Sequence, residues 1–471
     1  MILQRFYDDP LAQASFLIGC QATGEAIVVD PNRDAGQYIA AAEAEGLEIV
    51  AVTETHIHAD FVSGTRELSE RTGAKMYLSD AGPPEWQYGF RSDPRFVPIT
   101  GGSRIKVGNV VIEAVHTPGH TPEHLSFFVT DGAASTEPMG ILTGDFVFVG
   151  DVGRPDLLEK AAHVSGAADS SARVLFRSLE WFKGLPDHLQ VWPGHGAGSA
   201  CGKGIGAVPQ STVGYERRTN WGLAFDEEEA FVTQVLLGQP EPPRYFGVMK
   251  RINRDGPPLL GRILTPERIS ERRLASLVAA GAVLVDTRAT ASYATGFIPG
   301  TVNLPLGRSF ATYAGSLLPY DQDIYLLVEG GPAAVDQAVR TLVSIGLDRV
   351  AGYLGPEAIE IWRTAGHPVE SVDQVTVDDL SAGEHGRVVV DVRGASEWRA
   401  GHLKGSILVP LPELPDRLAE IPADRPVVLL CQTGSRSAVA ASYLRSRGRT
   451  GASNLAGGMV AWITAGLAVE R

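Results

Sequence analysis

Cysteine is scarce in this chain, with three among 471 residues, at positions 20, 201 and 431. An odd number of thiols so far apart is no disulfide framework, and each has to be read by itself. Positive charge is also short: 41 Lys and Arg stand against 55 Asp and Glu, for a net charge of −14. That balance argues against nucleic acid or an anionic membrane surface as the main partner. No run of about 18 apolar residues occurs, so no membrane-spanning helix is predicted. The first ten residues already carry Arg5, Asp8 and Asp9, unlike a basic leader followed by an apolar stretch. The expectation is a soluble, cytoplasmic protein. Core-forming residues are not lacking: 44% of the chain is hydrophobic and 20% charged, an ordinary globular balance. The length calls for roughly two to four domains.

The stretch Thr55-His56-Ile57-His58-Ala59-Asp60-Phe61 follows a short apolar run, Ile49-Val50-Ala51-Val52, which reads as a buried strand. Two imidazoles one residue apart at a strand end, with a carboxylate two further on, can converge on one small volume. That is ligand chemistry for a borderline metal ion. An isolated pair of this kind is more readily an exposed loop. Here Pro118-Gly119-His120-Thr121, Thr143-Gly144-Asp145 and Pro193-Gly194-His195-Gly196 follow it. Their order and spacing resemble the metallo-β-lactamase superfamily. The resemblance implies an αββα sandwich. It also implies a first metal on His56, His58 and His120, and a second on Asp60, residue 61 and His195, with Asp145 between. Residue 61 is phenylalanine, which has no lone pair to donate, so a single metal is expected.

Within that superfamily the chain most resembles the persulfide dioxygenases. The resemblance implies one Fe(II) per chain, held by His56, His120 and Asp145, with open positions for dioxygen and a substrate sulfur. His58, Asp60 and His195 then either orient ligands and handle protons or are purely structural. His116 and His124 are expected to pack or to lie outside the ligand set. The run from Gly194 to Lys203 looks like the extended loop of dioxygenases fused to rhodaneses. Its Cys201, six residues from His195, either receives sulfane sulfur or packs against the pocket. Cys20 reads as core. Segments 151–156 and 215–218 resemble that subgroup too. Arg154 is expected to pair with Asp151 or Asp156, or else to face an anionic substrate. Arg217 and Arg218 are candidates for anchoring the carboxylate or phosphate end of a thiol cofactor.

Strands are predicted over 26–30, 49–53, 75–78, 110–115, 125–129 and 140–142, with helices over 35–45, 64–71 and 172–182. Gly238 to Gly261 holds five prolines and little periodicity, which marks a domain boundary. Beyond it the chain repeats itself. Val283-Leu284-Val285-Asp286-Thr287-Arg288 matches Val388-Val389-Val390-Asp391-Val392-Arg393, and Trp362-Arg363-Thr364-Ala365-Gly366 answers Trp462-Ile463-Thr464-Ala465-Gly466. Two copies of about a hundred residues are a duplicated domain, not a solenoid, and each reads as a small α/β unit. Both resemble rhodanese sulfurtransferase domains. The expected division is residues 1–250 for the metal domain, 262–370 for a degenerate rhodanese-like copy, and 371–471 for an active one.

Val427-Val428-Leu429-Leu430 reads as a buried strand entering Cys431-Gln432-Thr433-Gly434-Ser435-Arg436, with a helix following. A cysteine on a tight loop at a helix N-terminus meets backbone N–H donors and the positive end of the helix dipole, and both favour its thiolate. Gln432, Thr433, Gly434 and Ser435 would cradle a persulfide or a sulfite-derived anion, and Arg436 would close the far side. The six-residue span from Cys431 to Arg436 resembles rhodaneses. In the first copy Val328 stands opposite Cys431, and Glu329-Gly330-Gly331 offers neither thiol nor arginine, so that copy is expected to be silent.

These readings converge on a two-site sulfur enzyme. Its partners would be a small-molecule thiol persulfide, dioxygen, and sulfite or thiosulfate, with sulfur passing in either direction at Cys431. A zinc thioesterase of the glyoxalase type is the rival enzyme, and a sulfane-sulfur carrier or sensor the non-enzymatic alternative. Oligomeric state is not legible, and a homo-oligomer is one option.

Overall fold

The computed structural model describes residues 1–160, 166–239, 241–383 and 386–471. It divides into two compact units, Met1–Ile263 with Val343–Gly346, and Leu264–Leu342 with Leu347–Arg471.

The first unit is built on two six-stranded sheets. One runs in the order Ile2–Asp8, Gln13–Cys20, Glu25–Val29, Glu48–Thr53, Lys75–Ser79, Phe96–Ile99. Its first three strands are antiparallel and the rest parallel. The other runs Ser211–Thr212, Gln190–Pro193, Gly140–Gly144, Leu125–Asp131, Val110–His116, Arg104–Val107. Side chains alternate between the faces of each strand. Phe16, Ile18, Ile27 and Val29 therefore meet Ile112, Phe127, Val129 and Leu142 in the core between the sheets. Leu17, Val28 and Val52 point outward onto helices Ala35–Ala44 and Thr65–Thr72, through Tyr38 and Leu68. Ile141 and Val191 do the same on the far side, against Leu175, Leu179 and Phe182 of helix Ala167–Lys183. Helix, sheet, sheet, helix is the layering, an αββα sandwich. Each predicted strand and helix of this unit lies within a residue or two of an observed one, except that the helix predicted from 172 begins at Ala167. The edge strands and the last helices were not anticipated.

One difference bears on the site. The proline-rich stretch predicted as a boundary contains helix Phe246–Asp255, inside the first unit. Its prolines flank the helix rather than interrupt it, Pro240 lying outside the described residues. Phe246, Met249 and Asn253 are spaced three and four apart and form its buried face. The compact unit accordingly continues to Ile263 rather than stopping near residue 250.

The second unit contains two parallel sheets. One is ordered Thr301–Asn303, Val283–Asp286, Ile324–Leu327, Val350–Leu354. The other is ordered Ile407–Leu408, Val388–Asp391, Val427–Leu430, Ala452–Leu455, Gln374–Val375. The first four positions correspond one to one, so the repeat in sequence is also a repeat in topology. Helix Ser435–Ser446 of the second copy packs against strand Thr301–Asn303 of the first, and Asn303 N–H donates to Ser442 Oγ at 2.9 Å. No helix among the described residues is long and apolar enough to cross a membrane.

Candidate metal centre and sulfur-transfer loop

The ends of several strands, drawn from both sheets, deliver the polar side chains of the first unit. His56, His58 and Asp60 follow Glu48–Thr53, and His120 sits between Val110–His116 and Leu125–Asp131. Asp145 follows Gly140–Gly144, and His195 follows Gln190–Pro193. All six are buried. Close backbone approach is part of the construction: a Cβ on Gly153 would lie 1.8 Å from the Asp145 carbonyl oxygen, so only glycine fits there.

His56, His120 and Asp145 form one group whose ligand atoms lie within 4.8 Å of one another. Asp145 Oδ2 is 3.5 Å from His120 Nε2 and 4.0 Å from His56 Nε2. Donors bound at about 2.1 Å around one ion would stand about 3.0–3.4 Å apart, so the group needs only slight contraction to close on a cation.

The hydrogen bonds settle which nitrogen is free. Thr55 Oγ1 gives its proton to Asp30 Oδ2 at 3.0 Å, so it accepts from His56 Nδ1–H at 3.0 Å. His120 Nδ1–H donates to the Arg154 carbonyl at 3.0 Å. Both Nε2 lone pairs therefore face the Asp145 carboxylate, to which the Cys201 thiol is a weak donor and no N–H or O–H group among the described residues donates. Burial pushes the His56 and His120 imidazoles below their ordinary range, which keeps them neutral and able to donate a pair. A buried carboxylate facing lone pairs is unfavourable unless a cation lies between them. The donors fit a metal ion.

His58 belongs to a different arrangement. Its Nε2 lies 3.1 Å from Asp30 Oδ1. Burial opposes its charge, but Asp30 outweighs this by attraction and hydrogen bonding and raises the imidazole to about 9. It is ion-paired, and its ring lies tilted against Phe61 at 4.4 Å between ring centroids. Asp30 was not anticipated from the sequence. It takes the Thr55 N–H at 2.6 Å as well, and so fixes the whole loop entry. Its backbone is left-handed at φ 52°, and the only other such non-glycine among the described residues is Ala12 at 51°. The Ala12 carbonyl accepts the His195 Nδ1–H at 3.0 Å. Both strained residues thus hold groups of this site, as strain at functional sites tends to do.

Asn253, also unanticipated, donates to the His58 and Phe61 carbonyls at 2.8 and 2.7 Å and accepts from Ser63 N–H at 2.9 Å. His124 packs behind His56, stacked at 5.2 Å, and accepts the Asp145 N–H on Nε2 at 3.2 Å. His116 reaches only the Pro122 carbonyl. Cys20 is in the inter-sheet core.

Asp60, His195 and Cys201 make a second group of the same compactness. His195 Nε2 is 3.2 Å from Asp60 Oδ2 and 3.3 Å from Asp145 Oδ1. Arg154 takes the structural option predicted for it: fully buried, it grips Asp156 through two bonds of 2.7 Å. It also donates to the Ala200 carbonyl at 3.1 Å, next to Cys201. Arg217 donates to Asp187 and to the Leu185 carbonyl on the exposed side of helix Val213–Thr219, and Arg218 lies 3.6 Å from Asp187.

In the second unit Cys431 directly follows strand Val427–Leu430 and is 1% exposed. Its Sγ accepts from Gly434 N–H at 3.2 Å and Ser437 O–H at 3.4 Å. Gly434 caps helix Ser435–Ser446 in the left-handed conformation, φ 97°. That turn aims the helix N-terminus at the sulfur. Arg436 is drawn to Glu397, with bonds of 2.8 and 2.7 Å, so its guanidinium faces that carboxylate. Asp391 grips Arg393, which donates to the Gly401 carbonyl, and Asp286 with Arg288 repeats this clamp on Gly296 in the first copy. The clamp is shared scaffold. The thiol is not shared: Val328 follows Leu327, whose partner Asp286 corresponds to Asp391 beside Leu430.

Fold and site together define an αββα protein with a histidine–aspartate site that fits a metal, joined to small parallel α/β sheets of which the second carries a buried thiol at a helix N-terminus. The Metallo-beta-lactamase superfamily profile matches residues 8–195, and the Rhodanese-like domain profile matches 376–465. A crystal structure of a metallo-β-lactamase from Staphylococcus aureus subsp. aureus COL is 44% identical. It covers 75% of this chain and 99% of its own, with a TM-score of 0.69. The chain belongs to the metallo-β-lactamase superfamily and carries a rhodanese-like domain behind the metal unit. A hydroxyacylglutathione hydrolase of Rhodospirillum rubrum is 28% identical over 185 residues, 38% of this chain and 60% of that protein. The crystal structure of ETHE1 from Myxococcus xanthus is 25% identical, covering 54% of this chain and 98% of its own at a TM-score of 0.44. The chain thus spans less than two thirds of the length of the hydrolase it matches.

Proposed function

We propose that the chain is a persulfide dioxygenase coupled to sulfur transfer. A low-molecular-weight persulfide, dioxygen and water give the parent thiol, sulfite and two protons. The proposed cofactor is one Fe(II), held by His56, His120 and Asp145. When bound, it supplies the one-electron chemistry that dioxygen requires. The observation that carries this reading is the presence, in one chain, of a three-donor group that fits a metal and a buried thiol that accepts two hydrogen bonds at a helix N-terminus.

The chain's own residues do the rest. The Thr55 hydroxyl and the Arg154 carbonyl fix the two imidazoles by their Nδ1 protons. The His58–Asp30 pair and Asn253 hold the loop between them. Burial of the whole cluster keeps bulk water from the reacting sulfur. At the second site Cys431 carries a sulfane sulfur as a persulfide. Sulfite attacks the outer sulfur, the S–S bond breaks, thiosulfate leaves, and the Cys431 thiolate regains the Gly434 and Ser437 donors. The reverse direction uses the same atoms.

The relatedness to hydroxyacylglutathione hydrolase favours one competing reading, a zinc-dependent thioesterase using metal-activated water. Incubation with glutathione persulfide under a measured oxygen supply separates the two. Oxygen uptake with sulfite and thiosulfate as products is the expected result. No uptake, together with cleavage of a hydroxyacyl-glutathione thioester, would establish the hydrolase.

A further inference from the structure

We infer that Glu123 is a positioning residue of the His56–His120–Asp145 centre, and that Lys250 on helix Phe246–Asp255 is the counter-charge that lets it act. The inference concerns how the donors are held and is independent of the reaction proposed above.

Glu123 follows His120 by three residues and is wholly buried. Its Oε1 accepts the Ile57 N–H at 2.9 Å, and Ile57 lies between His56 and His58. One carboxylate therefore ties the loop that carries His120 to the loop that carries His56, the two rings whose centroids stand 5.0 Å apart. The Glu123 backbone is fixed as well, since its carbonyl accepts the Ser79 hydroxyl proton at 2.6 Å. The remaining donors to the carboxylate, its own N–H and the Thr121 hydroxyl, are neutral and act more weakly. A carboxylate out of water with only neutral donors tends to take up a proton, and burial pushes Glu123 up to about 7.

The charge that opposes this comes from Lys250. Its ammonium stands 3.4 Å from the centroid of the Trp86 ring, a favourable seat for a cation with little water around it. Burial brings Lys250 down to about 8, and Glu123 is first among the groups that hold its proton. Gly82 makes the approach possible: a Cβ there would lie 2.7 Å from the Glu123 Cβ and 3.0 Å from the Trp86 Cβ. Asn253, one turn after Lys250, bonds the His58 and Phe61 carbonyls. The helix thus grips the histidine loop twice, by Asn253 directly and by Lys250 through Glu123. An ionised acceptor makes the stronger bond to the Ile57 N–H, so the pair sets where the His56 imidazole stands.

Hydrogen–deuterium exchange of the metal-free full-length protein, resolved to the Ile57 amide, reads the first link without turnover. Glu123→Gln is nearly isosteric and keeps an acceptor but not the charge. It should speed that exchange at least about tenfold. Its cobalt(II) affinity, measured against a competing chelator, should fall by about ten- to a hundredfold. Its urea midpoint should stay at or above the wild-type value, because a neutral amide costs less to bury than a carboxylate. Lys250→Met should reproduce the loss of cobalt affinity, and adding it to Glu123→Gln should cost little more, since the two residues act in series. None of these readouts involves oxygen or persulfide, so this inference and the proposed reaction fail separately. Unchanged Ile57 exchange in Glu123→Gln, or a Lys250→Met effect of equal size in both backgrounds, would overturn the inference. So would a lowered midpoint with cobalt affinity unchanged, which would make Glu123 a stabiliser of the fold alone.

Discussion

Asp145 is the residue on which both donor groups turn, since each of its oxygens faces a different histidine lone pair. Asp145→Ala should abolish iron retention and oxygen uptake, because two neutral imidazoles do not hold a labile ferrous ion. Metal content after desalting and an oxygen electrode read both effects, and uptake at the wild-type rate would remove Asp145 from the ligand set. At this scale the sequence was most legible where donor residues recur at strand ends, as with His56, His120 and Asp145, which the fold brings together. It was least legible where a partner is remote. Asn253 lies 195 residues from His58, and no local pattern announces such a contact. Asn253→Ala leaves two carbonyls and an N–H without their partner in a buried setting, a cost of about 2–4 kcal/mol. Thermal unfolding should show this as a lowered Tm, and an unchanged Tm would mean that water or a neighbour satisfies those groups.

Among the elements, the loop after strand Gln190–Pro193 and the loop before helix Ser435–Ser446 carry Cys201 and Cys431, and they are held in different ways. The first depends on a buried ion pair. Arg154→Ala removes two charge-assisted bonds from Asp156, whose side chain is 5% exposed, at a cost of about 3–5 kcal/mol. Denaturant titration should find that loss, and Cys201 in the folded variant should react faster with a thiol reagent than in wild type. Equal reactivity would show that the loop does not need Arg154. The second loop was readable because its signal is local: an apolar strand, a cysteine, a glycine turn and a helix follow in one short run. What the sequence missed there is the pull of Glu397 on Arg436, a contact made across 39 residues. In the first copy the corresponding strand, Ile324–Leu327, is followed by Val328 in place of a cysteine. Cys431→Ser in the full chain should therefore remove all thiosulfate sulfurtransferase activity, with sulfite accumulating from persulfide in place of thiosulfate. Thiosulfate formed by the variant at the wild-type rate, above a no-enzyme control, would show another thiol at work.

At the scale of the whole molecule, the strand and helix alternation was legible in the apolar runs, while the αββα layering was expected only from the resemblance carried by the histidine and aspartate motifs. The repeat of the second unit followed from matched segments about a hundred residues apart. The helix Phe246–Asp255 escaped because proline-rich flanks disguised a proline-free turn of amphipathic chain. The proposed function joins the two units in one sulfur chemistry, with iron at the histidine–aspartate centre. It is tested most directly by reconstituting the metal-free full-length protein anaerobically with graded Fe(II) and measuring oxygen consumption with glutathione persulfide at each iron content. The expected uptake rises in proportion to bound iron, saturates at one iron per chain, and yields sulfite. Iron-loaded protein that consumes no oxygen, while zinc-loaded protein cleaves a glutathione thioester, would contradict it.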